Sequence, residues 1–470
     1  MNLIALGFRF FGVSVITLKM WAVFFGTLTV LGMILLAREF WNTWRAGLIA
    51  GFLYATSFWA INFSRISFRA NMLPFVLVFS FYFLFRALRT EKYYDYILAG
   101  AFFGLGLHTY IAFRVAPAIL VALLFVLIIS KKKFFRTYWK PLAVYASSIF
   151  LVALPMLLIF YFHPEYSETR SESVSILSPK VNQGQLGHAL RVSVTKTLGM
   201  FNFQGDLNWR HNFPGEPELQ FFVGIFFLIG IFYLIGHFFY LMYRRVKYGK
   251  RHDDLVIATL ILSWFFVMLL PEMLTYEGLP HSLRAIGALP AAILIATLAI
   301  EMTFVLLNRM KSRKMRYLTQ VSQIFQIALI AIVIWGGASS IKKYFVDWAQ
   351  APQIHAAFSQ NFKNMALYLN NLPDNVNKYV VANAGGQIME DGLPVSAEVV
   401  KLLTHYRTPE IVYLKPDFRA DIIHAPAKVA LMYYDGEAIA RIKALFPGAY
   451  VQKIDPQPGN GTDYFVVNVN

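Results

Sequence analysis

The sequence predicts a polytopic α-helical membrane protein of about ten spans with a C-terminal α/β domain, and three observations carry that prediction. Of the 470 residues, 57% are hydrophobic and only 15% charged, and the mean hydropathy is +0.51, more apolar surface than a soluble domain requires. A bilayer core about 30 Å thick takes roughly 20 apolar residues per helix, and such windows recur along the first three quarters of the chain. Beyond residue 337 the composition turns to an ordinary soluble mixture.

Ten spans are read from the hydrophobic runs: Leu18–Ala37, Ala46–Ile61, Met72–Phe85, Tyr96–Ile111, Val115–Ser130, Pro141–Phe162, Phe221–Tyr243, Leu255–Leu270, Ala288–Leu307 and Leu318–Gly336. Basic clusters fall at alternate junctions: Arg38 and Arg45; Arg86, Arg89 and Lys92; KKKFFRTYWK at 131 to 140; RRVKYGKR at 244 to 251; RMKSRKMR at 309 to 316. The positive-inside rule makes these the cytoplasmic loops, so residues 62–71, 112–114, 163–220, 271–287 and everything after Gly336 face outward. The formal charge of +17 is then topological rather than a nucleic-acid footprint, and no nucleic-acid partner is expected. With no cysteine in the chain, thiolate metal sites, iron–sulfur ligation and disulfides are excluded.

After residue 337, helical periodicity appears in APQIHAAFSQNFKNMALYL (351 to 369), AEVVKLL (397 to 403) and EAIARIKALF (437 to 446). Strand-like runs appear in YVVANA, IVYLK, VALMYY, YVQKI and YFVVNV. That order predicts a small α/β domain, with GQIMEDGLP as a loop and PQPGNGTD as a turn before a final edge strand. NGT at 460 to 462 has the form of an N-glycosylation acceptor, a three-residue pattern that chance also supplies. The resulting division is 1–337, transmembrane, and 338–470, soluble and extracytoplasmic.

Ionisable groups gather in four outward stretches. INFSRISFRANMLP holds Arg65 and Arg69, four apart and so on one face if that stretch is helical; HTYIAFRVAP holds His108 and Arg114; GDLNWRHNFPGEPEL holds Asp206, Arg210, His211, Glu216 and Glu218; LPEMLTYEGLPHSLRAIGALP holds Glu272, Glu277, His281 and Arg284. One by one, the arginines read as side chains snorkelling to lipid phosphates. As a set they fit a shared anion site, since a guanidinium grips phosphate through two parallel hydrogen bonds and keeps its charge. Arg65, Arg69, Arg114, His211, His281 and Arg284 are accordingly expected to meet in one outward cavity. In the loop around Asp206, capping and a rigid FPGEP turn are the structural alternative, and neither spacing nor residue choice matches a metal or triad signature. No metal ligand is assigned, although a divalent cation remains a possible cofactor.

FGVSVITLKMWAVFFGTLTV, SRISFRANMLP, GLGLHTYIAFRVAP, GDLNWRHNFPGEPEL and EGLPHSLRAIGALP together resemble the bacterial GT-C glycosyltransferases. The resemblance is to the branch with protein O-mannosyltransferases, aminoarabinose transferases and rhizobial lipid A sugar transferases. It spans nearly all of the membrane region and, more weakly, the tail. It implies an inner- or plasma-membrane enzyme that moves a sugar, with inversion, from a polyprenyl-phosphate donor to an extracytoplasmic protein, lipid or glycan acceptor. Arg65, Arg69, Arg114, His281 and Arg284 would stabilise the lipid-phosphate leaving group, and His108, Arg210, His211 and Glu277 complete the substrate-binding set. The family's base is an acidic residue in the first outward loop, and MNLIALGFRFFGVSVITLKM has none. The resemblance therefore expects the base, with another span, upstream of Met1, and an inactive chain without them. Asp206 is the best acidic candidate present, better suited to orienting a sugar hydroxyl or an arginine. A flippase of lipid-linked sugars and a non-catalytic glycan-binding protein are the alternatives; the former would carry ionisable groups near the bilayer midplane. No WWDYG-like signature of an oligosaccharyltransferase occurs.

Overall fold

The computed structural model describes residues 2–130, 134–164, 174–248, 253–311, 316–405, 410–457 and 459–470. The basic residues at 131–133, 249–251 and 312–315 and part of the 163–220 loop thus lie outside the described residues. Contacts group the chain into two units, Met20–Phe345 and a second comprising Met1–Lys19 with Val346–Asn470.

Among the described residues, eight helical segments are long and apolar enough to cross a membrane: Val15–Trp41, Arg69–Thr90, Ile111–Ser130, Phe134–Phe162, Phe221–Tyr248, Asp254–Met273, Ser282–Met310 and Arg316–Trp348. A ninth is assembled from Trp44–Thr56 and Phe58–Arg65, bent by 60° at a break. The break is at Ser57, whose backbone is extended and whose hydroxyl accepts from the Ala60 N–H, ending one helix and capping the next. By length the expected count of about ten therefore falls to eight or nine. The expected segment outside this length-based set is Tyr96–Ile111, where the helix Tyr93–Leu105 has 13 residues, about 20 Å of rise; the hydrogen bonds of Asn62 to Arg210 and His211 nevertheless require an even number of crossings between them, which keeps this segment as a short one. Gly106–His108 and Ile111–Val115 then turn in 3₁₀ geometry.

Burial separates the centre of this unit from its rim. Of the most apolar window of Ser282–Met310, 72% is buried inside the protein, against 17% for Phe134–Phe162. The central helix is approached closely by Phe221–Tyr248: a side chain at Gly230 would collide with the backbone of Ile295, so the missing Cβ is what permits the contact. At the ends predicted to be cytoplasmic, cations are matched: Arg45 grips Glu301 through two hydrogen bonds of 2.9 and 2.7 Å, and Arg89 grips Glu39 through bonds of 2.6 and 3.0 Å.

In the other unit all five predicted strands form one sheet in the order β2-β1-β3-β5-β4. These are β1 (Asn377–Val381), β2 (Ile411–Leu414), β3 (Ala427–Leu431), β4 (Tyr450–Ile454) and β5 (Tyr464–Val469). β1 runs parallel to β2 and β3, while β5 is antiparallel to β3 and β4. Side chains alternate across it: Val380, Ala430 and Val466 meet Phe362, Met365 and Val400 on one face. Tyr379, Val381, Val429 and Val467 meet Ile439 and Ile442 on the other. The last strand is not an edge. YFVVNV is buried along nearly its whole length because it inserts between β3 and β4, and the largely exposed β4 takes the edge instead. The helix expected over 351 to 369 is two, Pro352–Ala357 and Gln360–Asn370, separated by Ser359 at φ +54°.

Candidate functional site

The loop GDLNWRHNFPGEPEL folds on itself through its own short polar side chains. Asp206 Oδ1 accepts from the Asn208 N–H (2.8 Å) and Asn208 Oδ1 from the Arg210 N–H (3.0 Å), two successive Asx turns. Asn212 donates to the Glu216 carbonyl (2.6 Å), and the Glu218 N–H returns to the Met200 carbonyl (2.9 Å). Gly205 lies inside this fold: a Cβ there would press on the Glu216 carbonyl and stand 2.7 Å from Asn212 Nδ2 and 2.8 Å from Glu218 Oε1. Only glycine fits.

The loop is tied to the ends of two spans. Asn62, one turn before Arg65, donates to the carbonyls of Arg210 and His211, both at 2.9 Å. Phe63 stacks on the His211 ring at 5.8 Å and Phe68 meets it edge-on at 6.1 Å. From the other side, the Ser282 N–H donates to Asp206 Oδ2 (2.8 Å) and the Ser282 hydroxyl to Glu218 Oε1 (2.5 Å). Glu218 Oε1 also accepts from the Asp206 N–H (3.1 Å). One carboxylate oxygen thereby holds both the loop and the turn Ser282–Ala285.

At the centre lie Asp206, His211 and His281. Asp206 Oδ2 is 3.0 Å from His211 Nδ1 and 4.0 Å from His281 Nδ1, and the imidazole rings are 4.6 Å apart between centroids. Asp206 and His211 are 2% and 4% exposed. Glu272, fully buried, accepts from the His281 N–H (2.8 Å) and lies 3.5 Å from the guanidinium of Arg284. Glu277 adds a carboxylate at 3.7 Å and a carbonyl at 2.6 Å to the same arginine.

Burial disfavours a charge on Asp206 more than any one contact favours it, but the His211 hydrogen bond, the attraction of the neighbouring imidazoles and the Asn208 N–H together outweigh it and hold the carboxyl below its ordinary value. Burial, followed by the nearby Arg284 charge, pushes His281 down to about 4, so this imidazole is neutral at pH 7. Stabilisation of Asp206 at neutral pH then comes from His211 and from the Asn208 and Ser282 N–H groups rather than from a charged His281. Burial, with added repulsion from Asp206 and Glu272, raises Glu218 to about 8 against the bonds it accepts. A proton on Oε2, which has no protein partner, leaves Oε1 free to accept both of its hydrogen bonds.

The candidates predicted from sequence thus divide. Asp206, His211, His281, Arg284 and Glu277 share one network. Arg210 lends it only a carbonyl, its side chain being exposed. Arg65 is exposed, with Phe345 and Tyr344 rings at 5.0 and 5.8 Å, and Arg69 is exposed next to Phe68. Arg65 ends the helix Phe58–Arg65 and Arg69 opens the 3₁₀ turn Arg69–Asn71 after an extended break, so the two do not share one helix face as expected, and both border the cluster through the 62–68 segment. His108 bonds the Val152 carbonyl at 2.9 Å and Arg114 stands 5.0 Å from the Phe160 ring, contacts with another helix. Glu218 and Glu272 belong to the same ionisable outward stretches but were given no site role, and Ser282 was not singled out. The acidic pair in PGEPEL and the glutamate following Pro271 carried the available signal. The sequence reading also assigned no metal ligands, whereas the fold brings ligand atoms of Asp206, His211 and His281 within 4.8 Å of one another.

Residues 2–159 match the sequence model of the family described as dolichyl-phosphate-mannose-protein mannosyltransferase. Over 100% of this chain and 86% of the other, the fold is similar to the crystal structure of ArnT from Cupriavidus metallidurans in the apo state, with 13% identity and a TM-score of 0.53. The structure of ArnT from the same organism bound to undecaprenyl phosphate gives 12% identity and a TM-score of 0.49, over 100% and 87% of the two chains. No curated protein matches the sequence. The chain has the fold of ArnT.

Proposed function

We propose that this protein is an integral-membrane glycosyltransferase of the bacterial inner or plasma membrane that transfers a sugar from a polyprenyl-phosphate donor to an extracytoplasmic acceptor. The observation that carries the reading is the placement, within an ArnT-like fold, of a buried acid, imidazole and guanidinium network at one end of the spans, bordered by exposed arginines. In the reaction an acceptor hydroxyl oxygen attacks the anomeric carbon as the bond to the phosphate oxygen breaks, inverting the centre. The lipid phosphate leaves with both bonding electrons, and the acceptor proton passes to a base. Charge develops on the departing oxygen and needs fixed cations. Arg284 is already engaged by two carboxylates, so it is assigned to positioning the His281 turn. Arg65, Arg69 and Arg210, exposed around the cluster, are assigned to the phosphate. Asp206, with both oxygens accepting hydrogen bonds, is likewise a positioning residue and not the base.

The test is reconstitution in vesicles with a synthetic polyprenyl-phosphate sugar carrying label in the sugar and a cell-envelope extract as acceptor. Release of polyprenyl phosphate, with label appearing in the acceptor, is the expected result. Translocation of intact donor without bond cleavage would replace the enzyme by a flippase, and glycan binding with intact donor would leave a binding protein.

A further inference from the structure

Asp206, His211 and His281 come from segments 5 and 75 residues apart in sequence, and nothing in the proposed transfer requires two imidazoles and a carboxylate to be driven together in a buried place. We propose that they bind one divalent cation of the zinc class, ligated by Asp206 Oδ2 and one nitrogen of each histidine.

Three observations carry this. First, the donor set suits the metal: imidazole nitrogen with a carboxylate oxygen is borderline chemistry that zinc accepts and magnesium or calcium, which prefer all-oxygen sites, does not. Second, the spacing is close to that of a loaded site. Bonds of ~2.0–2.1 Å in a tetrahedron separate ligand atoms by about 3.3 Å. The carboxylate oxygen stands 3.0 Å from one Nδ1 and 4.0 Å from the other, and ligand atoms of all three residues lie within 4.8 Å of one another, so shifts on the order of 1 Å suffice. Third, a ligand atom there is left without a partner: His281 Nδ1 is buried with no hydrogen bond in the protein. Such atoms cost free energy unless something satisfies them.

The surroundings are those of a built site. The Asn208 and Ser282 N–H groups orient the Asp206 carboxylate. Phe63 and Phe68 fix the His211 ring, and the Glu272 carboxylate holds the His281 backbone. Ligation through His211 Nδ1 requires the proton now shared with Asp206 to reside on Nε2. Three protein ligands leave a fourth position for water or a phosphate oxygen. The cation would clasp the 205–219 loop to the turn following His281.

This proposal stands on the cluster alone, so its test does not involve transfer activity. The full-length protein in detergent is stripped with a chelator, given one equivalent of Zn²⁺ or Co²⁺ and desalted. Bound metal, the visible cobalt spectrum and the zinc-induced shift in Tm are then recorded. The expected result is one metal per chain, an intense four-coordinate cobalt spectrum and a raised Tm. His211→Ala and His281→Ala should each weaken binding by more than about 100-fold, beyond what loss of a supporting partner costs, while His188→Ala on the exposed surface leaves it intact. His281→Gln, which keeps most of the volume, replaces any alanine variant whose metal-free Tm falls. Wild-type protein that retains no metal overturns the site, as does metal retained equally by the His211 and His281 variants, which would be adventitious binding.

Discussion

Glu218→Gln isolates the buried carboxyl that holds the two halves of the site. Glu218 has an ordinary value of 4.5 and a folded value of about 8, so between these limits the folded state carries a proton that the unfolded state has released. Stability then falls as pH rises, by about 1.4 kcal/mol per pH unit for one group. His281 acts oppositely. Its ordinary value is 6.5 and its folded value about 4, so below 6.5 the unfolded state binds the extra proton and stability falls as pH falls. The two slopes largely offset one another between 4.5 and 6.5, and from 6.5 to 8 the Glu218 slope stands alone. Over that interval of 1.5 units it comes to about 2 kcal/mol. Glutamine reproduces the protonated side chain: its carbonyl accepts from Ser282 and Asp206 where Oε1 now does, and its amide replaces the unpartnered Oε2–H. Thermal unfolding in detergent with a chelator present, compared between wild type and variant, is the assay. The variant's Tm should match wild type near pH 4.5, where Glu218 is protonated in both states, and exceed it progressively toward pH 8, because the His281 slope is common to both proteins. Parallel pH profiles would refute the buried, protonated glutamic acid.

Gly205→Ala should cost about 1–3 kcal/mol as an overpacked site, read as a lowered Tm and faster proteolysis of the loop, because the added methyl meets the Glu216 carbonyl and Asn212. Arg69→Ala and Arg210→Ala should each weaken binding of a polyprenyl-phosphate donor by roughly 10–100-fold, the loss of one charge-assisted contact, with Tm unchanged; donor affinity in detergent is the readout. Arg284→Ala should instead lower Tm by leaving Glu272 buried with its paired charge removed, and an unchanged Tm with weakened donor binding would return this arginine to the phosphate. Protease added outside intact cells should remove the α/β region after residue 345, and protection there would invert the proposed topology.

What could be read from the sequence was local, and what could not was pairing across distance. The five strands were legible because each is a short apolar or aromatic run bounded by glycine, proline or Asx residues. Their spatial order was not, and so YFVVNV was read as an edge when its burial belongs to an interior position. The helical length at Tyr96–Ile111 was not legible for a related reason. Hydropathy registers how apolar a run is but not that the helix stops at Leu105 and gives way to 3₁₀ turns.

The charge reading shows the same limit with larger consequences. Outward arginines near span ends carry one formal charge each in any sequence, and Arg65, Arg69, Arg114 and Arg284 were therefore equivalent on paper. The fold makes them unequal: Glu272 and Glu277 pair with Arg284, Phe160 faces Arg114, Arg65 lies over the Phe345 and Tyr344 rings, and Arg69 is exposed. A cation held by two carboxylates is a poor phosphate ligand and a good structural tie. In the proposed donor site the electrostatics would thus rest on arginines outside the buried network, with the network setting their frame. Asn62 makes that division mechanical. Its amide fastens the carbonyls of Arg210 and His211 to the helix that ends at Arg65, so Asn62→Leu should loosen Arg210 relative to Arg65 without removing a charge. Donor affinity that falls for this variant as far as for Arg210→Ala would indicate that the frame, and not the charge count, sets the phosphate grip. Affinity equal to wild type would remove the loop from the donor site.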